Sequence, residues 1–256
     1  MIYVKSGLEA LNNRQIIISP GTGLEHWGTV FFGPRSSMSV APGPQATMSE
    51  MAAHETIVPH FHGITQFQIF SAGSGTIGKG DPLQALTLQY KDHHTAYGPL
   101  VAGAQGLSFM ALRIKTGHSA PIYLDKPGYR DHLKPSKRRN WISSPIQLST
   151  EPVLEHRKQM SWEPLFDPKK IDDEMAAHVL RLGAHQQHMG PDPQRSGGYY
   201  VFVANGGLIY EDKCLPLWSM VVVESNEKAL PIKAGPKGLE ALILEYPKEL
   251  GDEALR

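Results

Sequence analysis

Two stretches decide the fold: PLVAGAQGLSFMAL at Pro99–Leu112 and PIKAGPKGLEALIL at Pro231–Leu244, which lies 132 residues later in the chain. They keep proline, glycine and apolar residues in one register. The alignment extends without a gap over Pro59–Ile114 and Pro191–Tyr246, with 12 identities in 56 positions. Because an internal repeat marks a duplicated structural unit, the sequence predicts two copies of one domain. The shared glycines predict turns with φ > 0, which glycine adopts at little cost.

Short runs of Val, Ile, Phe and Tyr lie between the 25 glycines and 20 prolines of the chain. This pattern is typical of short strands joined by tight turns. We therefore predict an all-β protein with an N-terminal domain at 15–116, a linker at 117–160 and a C-terminal domain at 161–250. The segment Ile171–Leu182 is ambiguous. Its three-to-four apolar spacing favours a helix, while its place before the second repeat favours a strand.

Composition narrows the class of partner and the compartment. The 256 residues include 25 Lys plus Arg and 25 Asp plus Glu, so the formal net charge is zero. Nucleic-acid binding usually needs a basic excess, and no apolar run approaches the ~20 residues that span a bilayer. We expect neither partner. The single cysteine, Cys214, excludes an intrachain disulfide, and the N-terminus lacks the apolar core of a signal peptide. Both observations predict a cytoplasmic protein.

The strongest chemical signal is PHFHGITQFQIFSAG at residues 59–73. His60 and His62 are two residues apart, and residues i and i+2 of a strand point to one face. Two imidazoles side by side in a barrel suit iron, manganese, zinc or nickel. The spacing predicts a metal site. The alternative is a histidine pair that hydrogen-bonds inside a polar barrel without a metal.

This stretch resembles the first motif of the cupin family, G-x5-H-x-H-x3,4-E-x6-G. His60 and His62 fall at its two histidines and Gly73 at its closing glycine, while Gln66 takes the glutamate position and His54 replaces the opening glycine. The resemblance covers both repeats. It implies a bicupin, with two tandem jelly-roll (double-stranded β-helix) barrels.

The second cupin motif, G-x5-P-x-G-x2-H-x3-N, is met in outline. Gly103 fits its central glycine, and Gly106 replaces its ligand histidine. The resemblance implies one divalent metal ion per chain, with Fe(II) favoured and Mn, Zn or Ni as alternatives. The predicted ligands are His60, His62 and Gln66, and the weaker candidates are His93, His94 and His54. We favour the interpretation of His93 and His94 as exposed turn residues.

The second repeat has lost the metal motif. The gapless alignment places Asp192, Gln194 and Gly198 at the positions of His60, His62 and Gln66. We therefore expect a degenerate C-terminal barrel that is structural, or that forms a pocket wall or a dimer surface.

Cupins with iron and an H-x-H pair are often dioxygenases, so the resemblance implies a metal-dependent, dioxygenase-like oxygenase acting on a small organic molecule. The alternatives are a metal-assisted lyase or isomerase with a histidine as general base, and a non-catalytic protein that binds a small ligand. Gln68 and Tyr97 are candidate polar groups of the pocket. We also expect a homodimer, because the apolar run QIIIS at Gln15–Ser19 would be a sticky sheet edge if uncovered.

Overall fold

The computed structural model describes residues 1–18, 23, 25–37 and 41–251. The strands are β1 (Ile2–Lys5), β2 (Gln15–Ile18), β3 (Glu25–Phe32), β4 (Gln45–Met51), β5 (Thr56–Ile57), β6 (His60–Phe61), β7 (Gln66–Ile77), β8 (Asp81–Gln84), β9 (Thr87–Lys91), β10 (Leu100–Arg113), β11 (Ile122–Tyr123), β12 (Asn140–Ile142), β13 (Ser161–Pro164), β14 (Ala176–Leu182), β15 (Gln187–Met189), β16 (Gly198–Tyr210), β17 (Lys213–Leu215), β18 (Met220–Glu224) and β19 (Pro231–Glu245). The helices are α1 (Gly7–Leu11), α2 (Glu151–Glu155) and short 3-10 turns at Tyr129–His132, Pro168–Lys170 and Pro193–Arg195. None of the described helices is long and apolar enough to cross a membrane.

The chain divides into two compact units. The N-terminal barrel comprises the described residues of 13–146 together with Leu250 and Gly251, and the C-terminal barrel comprises residues 1–12 and 147–249. The first residues belong to the C-terminal barrel because β1 pairs antiparallel with β18. The segment 117–160, which the sequence predicts as a linker, is divided between the units. It supplies β11 and β12 to one and α2 to the other.

The sheet of the N-terminal barrel has the strand order β12-β9-β7-β10-β4-β3-β2, with β5 paired to β10 and β8 to β7. A separate pair, β6 with β11, carries His60. Strand β2 lies at one end of this order, and Ser19, the last residue of the predicted apolar run, is outside the described residues. An apolar cluster that includes Phe70, Leu107 and Phe109 closes one part of the interior.

The sheet of the C-terminal barrel has the order β1-β18-β16-β19-β14-β13, with β15 paired to β19 and β17 to β16. Its pairings are antiparallel, as are those of the N-terminal barrel. The ambiguous segment Ile171–Leu182 contains β14, so the strand alternative is right and the helix is wrong. In β14, Ala177, Val179, Leu180 and Leu182 are buried, and Ala176, His178 and Arg181 are less so.

Strand pairing tests the register of the repeat. On β10 and β19, Leu107 pairs with Gly73 and Leu239 with Gly206. The offset of 132 therefore holds for β10 and β19, whereas β16 is shifted by one further residue against β7. The gapless alignment is wrong over that strand, and Tyr199, not Gly198, is the structural equivalent of Gln66. Because side chains alternate between faces, a slip of one residue exchanges the two faces of a strand.

One shared glycine pair fulfils the prediction of positive φ. Gly106 and Gly238 have φ of 77° and 79°, whereas neither member of the pairs aligned at 75 and 103 does. A Cβ on Gly106 would also lie 2.6 Å from the carbonyl oxygen of Met51, and one on Gly238 2.9 Å from that of Leu182. Glycine at this position therefore permits both the backbone conformation and the close approach of the next strand.

Candidate functional site

A cavity of about 210 Å³ opens inside the N-terminal barrel. Its wall includes the predicted histidines His60 and His62 together with Gln68 and Tyr97. The basic side chains of Arg35, in the segment after β3, and Arg113, on β10, also line it. Among the described residues that line it, none is Asp or Glu. The cavity is therefore basic and polar rather than acidic.

The two histidines of the H-x-H pair lie together. Their ring centroids are 5.1 Å apart with the planes at 86°, and both side chains are buried. Nδ1 of His60 lies 2.8 Å from the carbonyl oxygen of Val58. Since a carbonyl can only accept, Nδ1 donates and Nε2 carries the lone pair of the neutral ring. Nε2 of His62 lies 3.2 Å from the hydroxyl of Tyr97.

Gln66 faces a guanidinium. Nη2 of Arg113 donates to Oε1 of Gln66 at 2.5 Å, and Nη1 donates to Oε1 of Gln45 at 2.9 Å. Arg113 is 3% exposed, so this charge is held almost entirely out of water. The position at which the cupin motif has a carboxylate is therefore a neutral amide whose oxygen is already engaged by a cation.

A second basic side chain, Lys91, lies beside this group. Its Nζ donates to Oε1 of Gln68 at 2.8 Å and sits 2.7 Å from the ring centroid of Tyr97. Ammonium groups are attracted to the face of an aromatic ring, which partly replaces the lost water. Lys91 is 2% exposed. It lies behind the cavity wall rather than among the residues that line it.

Burial and these cations keep the histidines neutral. Burial lowers the pKa of His60 to about 3, and the charges of Lys91 and Arg113 contribute. Burial and then Arg113 hold the pKa of His62 well below its ordinary value. Burial also lowers the pKa of Lys91 well below that of a lysine in water, with Arg113 adding to the effect. The site disfavours additional positive charge.

This arrangement predicts acid sensitivity. His60 binds a proton below pH ~6.5 when unfolded and only near pH 3 when folded. The unfolded state therefore takes up protons first, and stability is lost as the pH falls from about 6.5 towards 3. At pH 5 the contribution of His60 is about 2 kcal/mol. Urea unfolding at pH 7.5 and pH 5.0 measures this effect. Between these two pH values, the free energy of unfolding of His60→Gln should fall by about 2 kcal/mol less than that of the wild type. An equal loss in both proteins would contradict the prediction.

The weaker ligand candidates lie elsewhere. His54 is exposed in the turn before β5 and has φ of 63°. His93 and His94 are buried, with their Nδ1 atoms 2.8 Å apart, so their interpretation as exposed turn residues is wrong. The backbone N–H of His94 donates to the carbonyl of His62 at 2.7 Å, which ties the turn to the site without placing either imidazole in the cavity wall.

In the C-terminal barrel, apolar side chains occupy most of the positions that are polar in the N-terminal barrel. Pairing along its sheet makes Tyr199, Val201, Val221, Val223 and Ile243 the equivalents of Gln66, Gln68, Gln89, Lys91 and Ala111. All five belong to its buried apolar core. The equivalent of Arg113 is Glu245, whose pKa burial raises to about 7. The sequence-based expectation is a degenerate C-terminal barrel without the metal motif. In the structure, the positions equivalent to those of the polar site are apolar, apart from Glu245.

The chain resembles several solved structures. No family model and no curated protein matches the sequence. Among solved structures, bacterial pirin YhhW from Escherichia coli, in complex with nickel(II), is 13% identical over 96% of this chain and 99% of its own, with a TM-score of 0.56. Salicylate 1,2-dioxygenase from Pseudaminobacter salicylatoxidans is 14% identical over 96% and 84%, with a TM-score of 0.55. Quercetin 2,3-dioxygenase from Acinetobacter baumannii is 11% identical over 96% and 78%, with a TM-score of 0.51.

The chain has the bicupin fold. The matches extend over both barrels and confirm the predicted all-β class and the cupin resemblance. At these identities they establish the fold, and the chemistry has to be argued from the site.

The residues present do not fit a tightly held divalent metal. A catalytic zinc site typically has three protein ligands and an open position. Here His60 and His62 supply two imidazoles, and the oxygen of Gln66 accepts from Arg113. Within the described ranges, no three His, Cys, Asp or Glu side chains are grouped so that they could hold a metal. The two buried cations beside the pair would further oppose a dication. The predicted metal therefore stays a prediction.

Sequence reasoning missed the basic side chains that line the cavity or lie behind its wall. Arg113, Lys91 and Arg35 come from β10, β9 and the segment after β3, and only the folded sheet brings them together. A signal existed for Arg113: it ends β10 directly after the apolar run Phe109–Leu112, so a strand there would hold it beside buried residues.

Proposed function

We propose that the N-terminal barrel binds a small organic molecule in its cavity and acts on it there. The observation that supports this most directly is the contrast between the barrels: equivalent positions carry Gln68, Lys91 and Arg113 in one and apolar residues or Glu245 in the other. Burying a polar group costs stability unless it is hydrogen-bonded, and burying a charge costs more unless it is paired. A cavity of about 210 Å³ is smaller than the ~300 Å³ at which pockets for drug-sized ligands begin, so the ligand is small.

The reacting groups are His60, His62 and Tyr97. The lone pair on Nε2 of His60 is fixed by the bond of Nδ1 to Val58, and the hydroxyl of Tyr97 lies beside His62. A neutral imidazole and a phenol in one cavity wall suit a proton transfer on the bound molecule, and a negative charge on that molecule would offset the burial that lowers the pKa of His60. This supports a lyase- or isomerase-type reaction by general base catalysis, without a step that depends on a metal.

A metal-dependent oxygenase, with Fe(II) as the favoured ion, is the second candidate. Its support is the neighbouring pair of imidazoles and the presence of two dioxygenases among the structural neighbours. Elemental analysis of the protein, purified without chelators and reconstituted with Fe(II), Mn(II), Zn(II) or Ni(II), separates the candidates. We expect far less than one ion per chain. One tightly bound ion that is lost in His60→Ala would favour the oxygenase.

Filling the cavity tests the proposal itself. Ala111 lines the cavity, and Ile243 holds its place in the apolar barrel. Ala111→Ile should abolish the binding of small organic molecules, neutral or charged, that calorimetry detects with the wild type. The matched control is Ile243→Val in the C-terminal barrel, which should leave binding unchanged. Equal binding by wild type and Ala111→Ile would refute the proposed cavity.

The predicted homodimer rests on β2. This strand ends the described sheet order, and Ile16 and Ile18 on it are 54% and 65% exposed. An uncovered apolar edge strand is a ready site for pairing with a second copy. We expect light scattering at micromolar concentration to give a dimer mass for the wild type and a monomer mass for Ile16→Lys. A monomeric wild type would contradict this.

A further inference from the structure

The charge of the cavity wall is one-sided. Arg35 and Arg113 both line it, and its described lining contains no carboxylate. Removing a charge from water is costly, and proteins normally offset that cost with an opposite charge and with hydrogen bonds. The hydrogen bonds are present in this cavity, but the lining supplies no opposite charge. The ligand can supply it.

Two partners of Arg113 are neutral amides. Its two terminal nitrogens donate to the amide oxygens of Gln45 and Gln66. These bonds fix the plane of the guanidinium and leave its positive charge intact. A guanidinium held in a fixed plane presents a fork that matches a carboxylate.

Arg35 carries a second charge with a vacant donor. Its Nη2 lies 2.9 Å from Nε2 of His26 and donates to Oγ of Ser49 at 3.1 Å. Its Nη1 is buried and has no hydrogen-bond partner among the described residues. Burial lowers the pKa of Arg35, which reports the same desolvation. An acceptor in the cavity would satisfy this nitrogen.

Two other arginines with little exposure, Arg139 and Arg181, are paired with carboxylates. In the N-terminal barrel Arg139 pairs with Asp92 at 2.8 Å. In the C-terminal barrel Arg181 pairs with Glu240 at 2.8 Å. Around this cavity, by contrast, the described lining supplies no carboxylate to Arg35 or Arg113.

The amide of Gln66 has a purpose in this arrangement. A glutamate there, as in the cupin motif, would form an ion pair with Arg113 and neutralise it. Glutamine keeps the hydrogen bond without the negative charge. Glutamine in place of glutamate at position 66 therefore weakens a metal site and preserves a positively charged site for an anion.

We propose that the ligand of this cavity is a small organic carboxylate held by the guanidinium groups of Arg35 and Arg113. The inference rests on the proposed function of the cavity and adds the class of ligand. A hydrogen bond between charged partners contributes about 1.5–3 kcal/mol, which corresponds to roughly 10- to 150-fold in affinity.

The test compares isosteric acids and amides. Calorimetry measures binding of benzoate against benzamide and of butyrate against butyramide, to the wild type, Arg35→Met, Arg113→Met and Gln66→Glu. We expect at least one acid to bind the wild type tenfold or more tightly than its amide. Each variant should lose about tenfold or more for the acid and little for the amide. Arg14→Met, an exposed arginine paired with Glu50, should bind both as the wild type does.

The outcomes are distinct. If amides bind as tightly as acids, or Gln66→Glu leaves acid binding unchanged, the carboxylate inference is overturned while the cavity remains a binding site. If no acid or amide binds, the proposed function fails and the inference with it. Should Arg113→Met fail to fold, Gln66→Glu and Arg35→Met decide, because amide binding in those variants reports an intact cavity.

Discussion

Replacing Asp92 by Ala is expected to lower the free energy of unfolding by about 3–5 kcal/mol, the usual cost of stranding one partner of a buried ion pair. Asp92 and Arg139 are 5% and 9% exposed. Asp92 accepts from Nε and Nη2 of Arg139, from the backbone N–H of Arg139 and from the hydroxyl of Tyr90. The pair fastens the segment that leads into β12 to the end of β9, so its loss should be felt by the whole N-terminal barrel.

Urea unfolding of a matched set measures this effect. Asp92→Ala combined with Arg139→Met removes both charges and should recover a large part of the loss, because no uncompensated cation remains. Asp125 lies 4.0 Å from Lys126 with both side chains more than half exposed, and Asp125→Ala should change stability by less than about 1 kcal/mol. A loss in Asp92→Ala no larger than that in Asp125→Ala would contradict the prediction.

The parts of the fold that could be predicted from sequence are those carried by local pattern. The alternation of short apolar runs and turn residues indicates β structure, and Pro99–Leu112 against Pro231–Leu244 gives the correct register of β10 and β19. The register of β7 and β16 could not be read in the same way. The chain slips by one residue there, and Phe70 and Phe202 match in sequence although Phe70 pairs with Phe109 while Phe202 pairs with Leu242.

The site residues also differ in how far the sequence could predict them. His60 and His62 are two residues apart, so their proximity follows from local geometry. Lys91 and Arg113 reach the same site from separate strands, and pairing across three strands is set by long-range contacts that a single sequence does not display. The burial of His93 and His94 was missed for a related reason: the segment looks like an exposed turn until the backbone of His62 is seen to cover it.

The two barrels differ in the polarity of their interiors. In the C-terminal barrel the interior is a continuous apolar cluster that includes Val201, Val223 and Ile243. In the N-terminal barrel the equivalent positions hold amides and cations around a cavity. One copy of the repeat has an apolar interior, and the other holds groups whose burial is unfavourable. Such groups are retained where activity requires them.

Lys91→Met tests that cost directly and should raise the free energy of unfolding by about 1–4 kcal/mol, as replacement of buried charges by well-packed apolar residues often does. Lys91 is 2% exposed, and its pKa is lowered by burial and by Arg113. Each unit of that lowering corresponds to about 1.4 kcal/mol. Met is close to Lys in length and can fill the same space against the ring of Tyr97, while Val223 shows that the equivalent position accepts an apolar residue.

Chemical denaturation of wild type and Lys91→Met at pH 7.5 gives the comparison, with exposed Lys79→Met as a control expected to stay within about 0.5 kcal/mol. The gain should be smaller at higher pH, because a lysine with a lowered folded-state pKa destabilises the fold less as the unfolded chain also loses its proton. If Lys91→Met instead loses more than about 1 kcal/mol, the bond from Nζ to Gln68 outweighs the desolvation of the ammonium. Lys91 would then be a structural residue of the barrel rather than a cost accepted for binding.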